Sequence, residues 1–440
     1  MSAIDTRAPA PAATPPFGAY PAPVKSPRRS LIELLVAVVV IVAVAVATGL
    51  VDLLVVITCI VVMIMVHELG HLLAAKRGHM KVTEYFLGFG PRLWSVRRGE
   101  TEYGVKAFPL GGYVKIPGMT NLEEVDPADE PRTYRQQPFG ARMLVAVAGS
   151  AMHFLMAFVL LLALLTLVGV PNGNQVQING VNPLGGHPGP AAVAGLRAGD
   201  VVVSVDGKPV GGHAQSLINA IEHHPGVPVA VVVERDGRRQ TLTVTPANGR
   251  TVHESGAEVP KGSAPYGIIG VSLGSPVQTT GLLPALRSSG ADLGHYTWAT
   301  VLAVGHLFSP SGVAQRFDQA TSAKAANQAS ANGTRVESIV GAVRTATQAA
   351  QAGMGDLLLI LISLNLFLGV FNLFPMLPLD GGHVAIAVYE KIRTGRRSLK
   401  YHADVAKLMP FTWLMLMFLG VLFTTALLGD ILHPMANPFG

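Results

Sequence analysis

The sequence predicts a polytopic α-helical membrane protein of about five transmembrane helices, with a β-rich domain inserted between the third and the fourth. Three observations lead there. Half of the 440 residues are hydrophobic and only 14% are charged, where an ordinary soluble protein carries about a quarter charged residues. The apolar residues collect in five blocks, each near the ~20 residues that a helix needs to cross a bilayer. After the third block the pattern changes to short Val-rich runs separated by Gly, Pro and Asp, the signature of strands and turns.

The five blocks run over residues 31–50, 53–75, 143–170, 357–374 and 408–428. Residues 1–30 are rich in Pro and Ala and are expected to form a disordered cytoplasmic tail. The expected order is then a leading transmembrane helix at 31–50, a second at 51–76, a cytoplasmic-side loop at 77–142 and a third helix at 143–170. The β-rich domain follows at 171–250, with an extracytoplasmic linker and juxtamembrane helices at 251–355. The fourth span occupies 356–390, a basic cytoplasmic loop 391–407, the fifth span 408–430 and a tail 431–440. Within the linker, residues 299–308 and 339–352 have helical spacing, whereas 315–334, rich in Ala, Ser, Gln and Asn, reads as a flexible loop.

Basic residues set the orientation. Lys25, Arg28 and Arg29 precede the first block, Lys76, Arg77 and Lys81 follow the second, and Arg132, Arg135 and Arg142 precede the third. Lys391, Arg393, Arg396, Arg397 and Lys400 separate the last two. All fall on one face if the N-terminus is cytoplasmic and the insert is outside, as positive-inside topology requires. The same explanation accounts for the net charge of +6 without nucleic acid, since no Lys/Arg run is interleaved with aromatics. The single cysteine, Cys59, excludes an intramolecular disulfide and a Cys-based zinc finger. Residues 31–50 have no convincing small-residue cleavage site and lead straight into another span, so they are expected to be retained.

Chemistry concentrates at the end of the second block, where His67-Glu68-Leu69-Gly70-His71 forms an HExxH pattern in an uninterrupted helical run. Residues four apart share a helix face, so both imidazoles can hold one zinc ion while Glu68 stands beside it as general base. In a chain with 14 His the pattern arises by chance about once in seventy such sequences. Ionisable groups inside a membrane are costly, however, and three in five positions call for a partner such as a metal. A catalytic zinc site needs a third protein ligand. The fourth block offers one in Asn372-Leu-Phe-Pro375-Met-Leu-Pro378-Leu-Asp380-Gly381-Gly382-His383, a polar break that the topology places level with His71. Its prolines and glycines give irregular backbone of the kind a membrane tolerates only around a cavity.

Together, His67-Glu68-x-x-His71 and Asn372-x-x-Pro375-x-x-x-Leu379-Asp380-Gly381 resemble the site-2 proteases, zinc enzymes of regulated intramembrane proteolysis. The likeness is strongest to the bacterial regulator-of-sigma-factor branch, which carries a PDZ insert. Here the insert, with Pro190-Ala-Ala-Val-Ala-Gly-Leu-Arg-Ala-Gly-Asp200-Val and the Asp236-Gly237 turn, is similar to a PDZ domain. Such a domain takes an extended chain end as an added strand, although a mere spacer stays open as an alternative. The resemblance implies one zinc held by His67, His71 and Asp380, with Glu68 as general base. It implies that Asn372 and Pro375 hold the substrate backbone. It also implies that the loop Tyr103-Gly-Val-Lys-Ala-Phe-Pro-Leu-Gly111-Gly112-Tyr113 forms a membrane-dipping hairpin that pairs with substrate. Two departures stand out: the leading helix, and His153 where the family commonly has Asn, which points to packing or support rather than metal ligation. His383 is expected to turn towards headgroups or a supporting partner.

The implied partners are the lipid bilayer of a bacterial cell membrane and a single-pass transmembrane substrate. An anti-sigma factor already cut outside is first in line, a remnant signal peptide second. Two other classes compete: a metal-ion transporter, since intramembrane His and Asp also mark ion pathways, and a non-catalytic PDZ-bearing scaffold. A single HExxH with one distant Asp speaks against the first, and an intact Glu68 against the second.

Overall fold

Apolar side chains all round a helix mark it as buried in protein or lipid. Five helices of the computed structural model meet that description and are long enough to cross a membrane among the described residues, which are 27–119, 123–250, 265–332, 334–395 and 403–439. Residues 1–26 of the expected tail, residues 251–264 of the linker and residues 396–402 of the basic loop, with Arg396, Arg397 and Lys400, lie outside them. The chain divides into two compact units, one from residues up to 152 with 372–421, the other from 153–371 with 422 onwards.

The first unit begins with α1 (Pro27–Thr48), whose apolar side chains are nearly all exposed, and α2 (Val51–Arg77), which carries the HExxH residues. Lys76 and Arg77 fall in the last turn of α2, where positive charge offsets the helix dipole. Next come β1 (Glu84–Arg98) and β2 (Thr101–Lys115). These two long strands fold back on themselves, because residues 84–87 pair on one side with 102–105 and on the other with 112–115. Gly88 and Gly90, both at φ +85°, make the bend possible. The result is a small curled sheet rather than a simple hairpin, with 112–115 on its edge. Tyr134, Met80, Val82 and Ile116 form the core beneath it, together with Leu72 and Ala75 of α2 and Val145 of α3 (Phe139–Ala163).

The second unit contains the inserted domain. After a π-helical turn at residues 164–168, β3 (Val170–Pro171) and β4 (Val176–Val181) lead to the short α4 (Pro190–Val193), β5 (Val201–Val205) and β6 (Lys208–Pro209). Then follow α5 (Ala214–Glu222), β7 (Val229–Arg235), β8 (Arg238–Val244) and β9 (Ala247–Asn248). β10 (Gly267–Ile268), β11 (Val271–Gly274) and β12 (Val277–Gln278) complete the strands. The main sheet has the order β11-β4-β5-β7-β8 and covers a core of Val176, Ile178, Val202, Val229, Val231, Val233, Leu217 and Ile221. Asp236 (φ 52°) and Gly237 (φ 75°) form the expected tight turn between β7 and β8. Asp200 is fully buried; burial alone would raise its pKa, but the Arg235 guanidinium, at 2.6 and 2.8 Å, and the Arg197 N–H outweigh it and hold the carboxyl below its usual range.

The linker differs from expectation. Residues 315–331 of that expected loop are helical instead: α6 (Leu282–Leu307) is followed by α7 (Pro310–Thr321) and α8 (Ala323–Ala331), with a single break at Ser322. The Ala-rich composition that suggested flexibility is also a strong helix former. Ser309 and Ser322 supply the starts, their hydroxyls accepting the N–H groups of Gly312 and Ala325. α9 (Ile339–Ala352) matches the predicted helix and is anchored by buried Asp430, which accepts from the Ser338 N–H at 2.7 Å and pairs with Arg335 at 3.0 Å. Ile269 and Gly270 separate β10 from β11.

The segment expected as a span over 356–390 consists of two helices, α10 (Met354–Asn372) and α11 (Asp380–Thr394), joined by an irregular turn. Pro375 and Pro378 lie in that turn, where proline cannot extend a helix. The last helix, α12 (Met409–Leu432), follows a 3-10 turn at residues 405–408.

Candidate metal centre

HExxH occupies α2 without interruption, so the helical repeat brings His67 and His71 onto one face with ring centroids 4.8 Å apart. Both are nearly buried. Asp380 is the first residue of α11, so the turn before it fixes where its carboxylate points. Its Oδ2 lies 3.4 Å from His67 Nε2 and 3.2 Å from His71 Nε2, while the two Nε2 atoms are 3.2 Å apart. Three ligands set tetrahedrally about 2.0–2.1 Å from one zinc ion would be separated by about 3.3–3.4 Å. The triangle therefore has the dimensions that three protein ligands of one zinc ion would have. Among the described residues, Asp380 Oδ2 is buried and accepts no hydrogen bond, which suits an atom meant for a cation.

The tautomer of His71 agrees. Its Nδ1 lies 2.8 Å from the Val145 carbonyl, which can only accept, so Nδ1 carries the proton and Nε2 keeps its lone pair for a metal. Gly149 lies one turn further along α3. A Cβ added there would collide with His67 Cε1 and His71 Nε2, so only glycine lets α3 pass this close to both rings.

Glu68 accepts from the Val114 N–H at 3.1 Å, which brings the 112–115 edge of the sheet directly against the acid. Gly112 permits that approach, because a Cβ there would sit 3.0 Å from Met65 Sδ and 3.2 Å from Glu68 Cγ. Tyr85 makes a second link, donating to the Met65 carbonyl at 2.7 Å. Its pKa is pushed up to about 12, first by burial and then by the nearby Glu68 charge, so it stays a donor. The side chain of Tyr113 is committed within the sheet: it stacks between Phe86 and Phe89, accepts from Lys106 and donates to Glu84. Burial first, then that bond to Glu84, raises its pKa.

The other sequence candidates are spread more widely. Asn372 ends α10, and Pro375 lies on the surface of the turn, on the rim of a cavity of about 440 Å³ whose walls include Met376, Leu377, Ala385, Ile386 and Phe411. His383 packs edge-on against Tyr134 with ring centroids 6.2 Å apart. His153 is fully buried and bonded at 3.0 Å to Asn365 Oδ1. Because Asn365 Nδ2 already donates to Leu361 O, the His153 ring is the donor in that pair. Among the described residues, the His, Asp and Glu side chains whose ligand atoms converge are His67, His71 and Asp380. The contributions of Tyr85, the Val114 amide and the close approach of Gly149 were not anticipated. A backbone amide leaves no trace in residue identity, and Tyr85 is one aromatic residue among several in a strand.

The comparisons with known proteins fit this geometry. The family described as peptidase family M50 matches residues 55–417. The chain is 35% identical to zinc metalloprotease Rip1 of Mycobacterium tuberculosis, over 84% of this chain and 94% of that protein. It is 32% identical to zinc metalloprotease Rip1 of Mycolicibacterium smegmatis, over 84% of this chain and 95% of that one.

Proposed function

The chain belongs to peptidase family M50 as a multi-pass membrane zinc metalloprotease of the site-2 type, and on that footing we propose that it hydrolyses a peptide bond within or beside the transmembrane segment of a single-pass protein. Family membership sets aside the transporter and scaffold alternatives. His67, His71 and Asp380 would hold the zinc, their Nε2, Nε2 and Oδ2 atoms being the ones that converge. Zinc held there would supply Lewis-acid chemistry, polarising the scissile carbonyl and lowering the pKa of water. Glu68 takes the proton from that water and returns it to the departing amine. The observation that carries this reading is the ligand triangle with Glu68 in the same helical turn, on a helix of membrane-spanning length.

A helical substrate hides its peptide bonds in its own hydrogen bonds. The edge at residues 112–115, with Gly111, Gly112 and Tyr113, offers a strand on which the substrate can unwind and pair. Asn372 and Pro375 hold the extended backbone from the other motif. The inserted domain selects chains that have already been shortened: a groove of about 370 Å³ between Leu217, Ile218 and Ile221 of α5 and residues 266–271 is open to an extended chain end. The natural substrate is a membrane-bound anti-sigma factor after a first extracytoplasmic cut. The N-terminus and the sheet of residues 84–115 face the cytoplasm, and the inserted domain faces outward from a bacterial cell membrane.

The test is cleavage of a single-pass substrate, with and without its extracytoplasmic portion, by the full-length protein in detergent, with the cut bond located by mass spectrometry. A cut inside the span, confined to the shortened substrate and stopped by a zinc chelator, is the expected result. Cleavage in a soluble loop, or equal cleavage of both forms, would overturn the reading.

A further inference from the structure

We propose that the buried ion pair between Arg142 and Glu390 is a positioning device for the metal centre, holding α11 against α3 so that Asp380 stays within reach of the two imidazoles. Arg142 Nη1 lies 2.6 Å from Glu390 Oε2, with the side chains only 10% and 7% exposed. Glu390 belongs to α11, the helix that begins with Asp380. Arg142 belongs to α3, seven residues before Gly149. Seven residues are almost two full turns, so Arg142 and Gly149 share a face of α3, and Val145 stands between them. That face gives its Val145 carbonyl to His71 and its Gly149 to both rings. The pair thus joins the helix that orients His71 to the helix that supplies the carboxylate ligand.

Two further contacts narrow its freedom. Glu390 Oε1 accepts from the Ala403 N–H at 2.6 Å, so the acid also fixes the chain on the far side of residues 396–402. Arg142 lies 5.1 Å from the ring centroid of Tyr134, whose hydroxyl donates to the Arg142 carbonyl at 3.3 Å and whose ring edge meets His383, one turn along from Asp380. Buried ion pairs are poor stabilisers, because desolvation offsets their attraction. Fixing one arrangement of two helices is a better account of a pair kept here, since groups that orient metal ligands commonly control affinity or activity 10- to 100-fold, to order of magnitude.

The proposal rests on His67, His71 and Asp380 being the zinc ligands, and the experiment separates the two. Full-length wild type, Arg142→Met, Arg142→Lys, Glu390→Gln and His67→Ala are purified in detergent. Each is measured for zinc affinity by chelator competition, for the visible spectrum of its cobalt(II) form and for thermal unfolding. Arg142→Met is expected to weaken zinc roughly 10- to 100-fold and to shift the cobalt bands, with Arg142→Lys recovering most of both. Wild-type affinity and spectrum in folded Arg142→Met would overturn the proposal. So would a loss of thermal stability shared by the Met and Lys variants with no spectral change. Should Arg142→Met fail to fold, Glu390→Gln decides on the same readouts, because it keeps size and an acceptor for Ala403 while losing the charge. A His67→Ala spectrum identical to wild type would instead remove the ligand assignment, and the proposal with it.

Discussion

Glu68→Gln is expected to retain one zinc per chain and to cut its substrate at least 10²- to 10⁴-fold more slowly, the range that a positioned general base contributes. The amide has nearly the same shape and can still accept from the Val114 N–H, so the link between the sheet edge and α2 survives. What it cannot do is take a proton. Single-turnover cleavage at saturating substrate, with zinc measured on the same sample, checks the result. A variant that keeps its zinc and cuts at the wild-type rate would remove Glu68 from the chemistry.

Gly149→Ala is the second large effect, and it arises from a residue with no side chain of its own. The added methyl would occupy the space of His67 Cε1 and His71 Nε2, and helix backbone cannot retreat without also withdrawing the Val145 carbonyl that orients His71. The expected outcome is a folded protein whose zinc content falls well below one per chain and whose cleavage falls about 100-fold or more, the scale on which ligand-orienting groups act. Metal analysis after gel filtration measures the first effect and a cleavage assay the second. Gly140→Ala is the control: it lies in the same helix with open space where the Cβ would stand, and it should change neither.

The sequence made some of this architecture visible for physical reasons. A membrane span must satisfy its backbone internally and present apolar side chains to lipid, so its mark on composition is strong. α1, α2 and the helices around residues 139–163, 354–372 and 409–432 were accordingly legible. The spacing of His67 and His71 needed only the helical repeat. Asp380 was reachable because prolines and glycines broke an apolar run beside it. Residues 315–334 misled because Ala and Ser serve helices and flexible chains alike, and only the serine caps at 309 and 322 favoured the helix. The doubling of β1 and β2 was hidden because alternation reveals strands but not which segments pair. Arg142 was counted with the positive-inside residues without its partner Glu390 being foreseen; the pairing of residues 248 apart cannot be read from either neighbourhood.

The central claim is that His67, His71 and Asp380 together hold one catalytic zinc, and zinc K-edge X-ray absorption on the full-length protein tests it most directly. Wild type should show one zinc bound only by nitrogen and oxygen at about 2.0–2.2 Å, with two imidazoles in the outer scattering, falling to one in His67→Ala. Two imidazoles persisting in that variant, or a sulfur neighbour, which would implicate Cys59, would contradict the account.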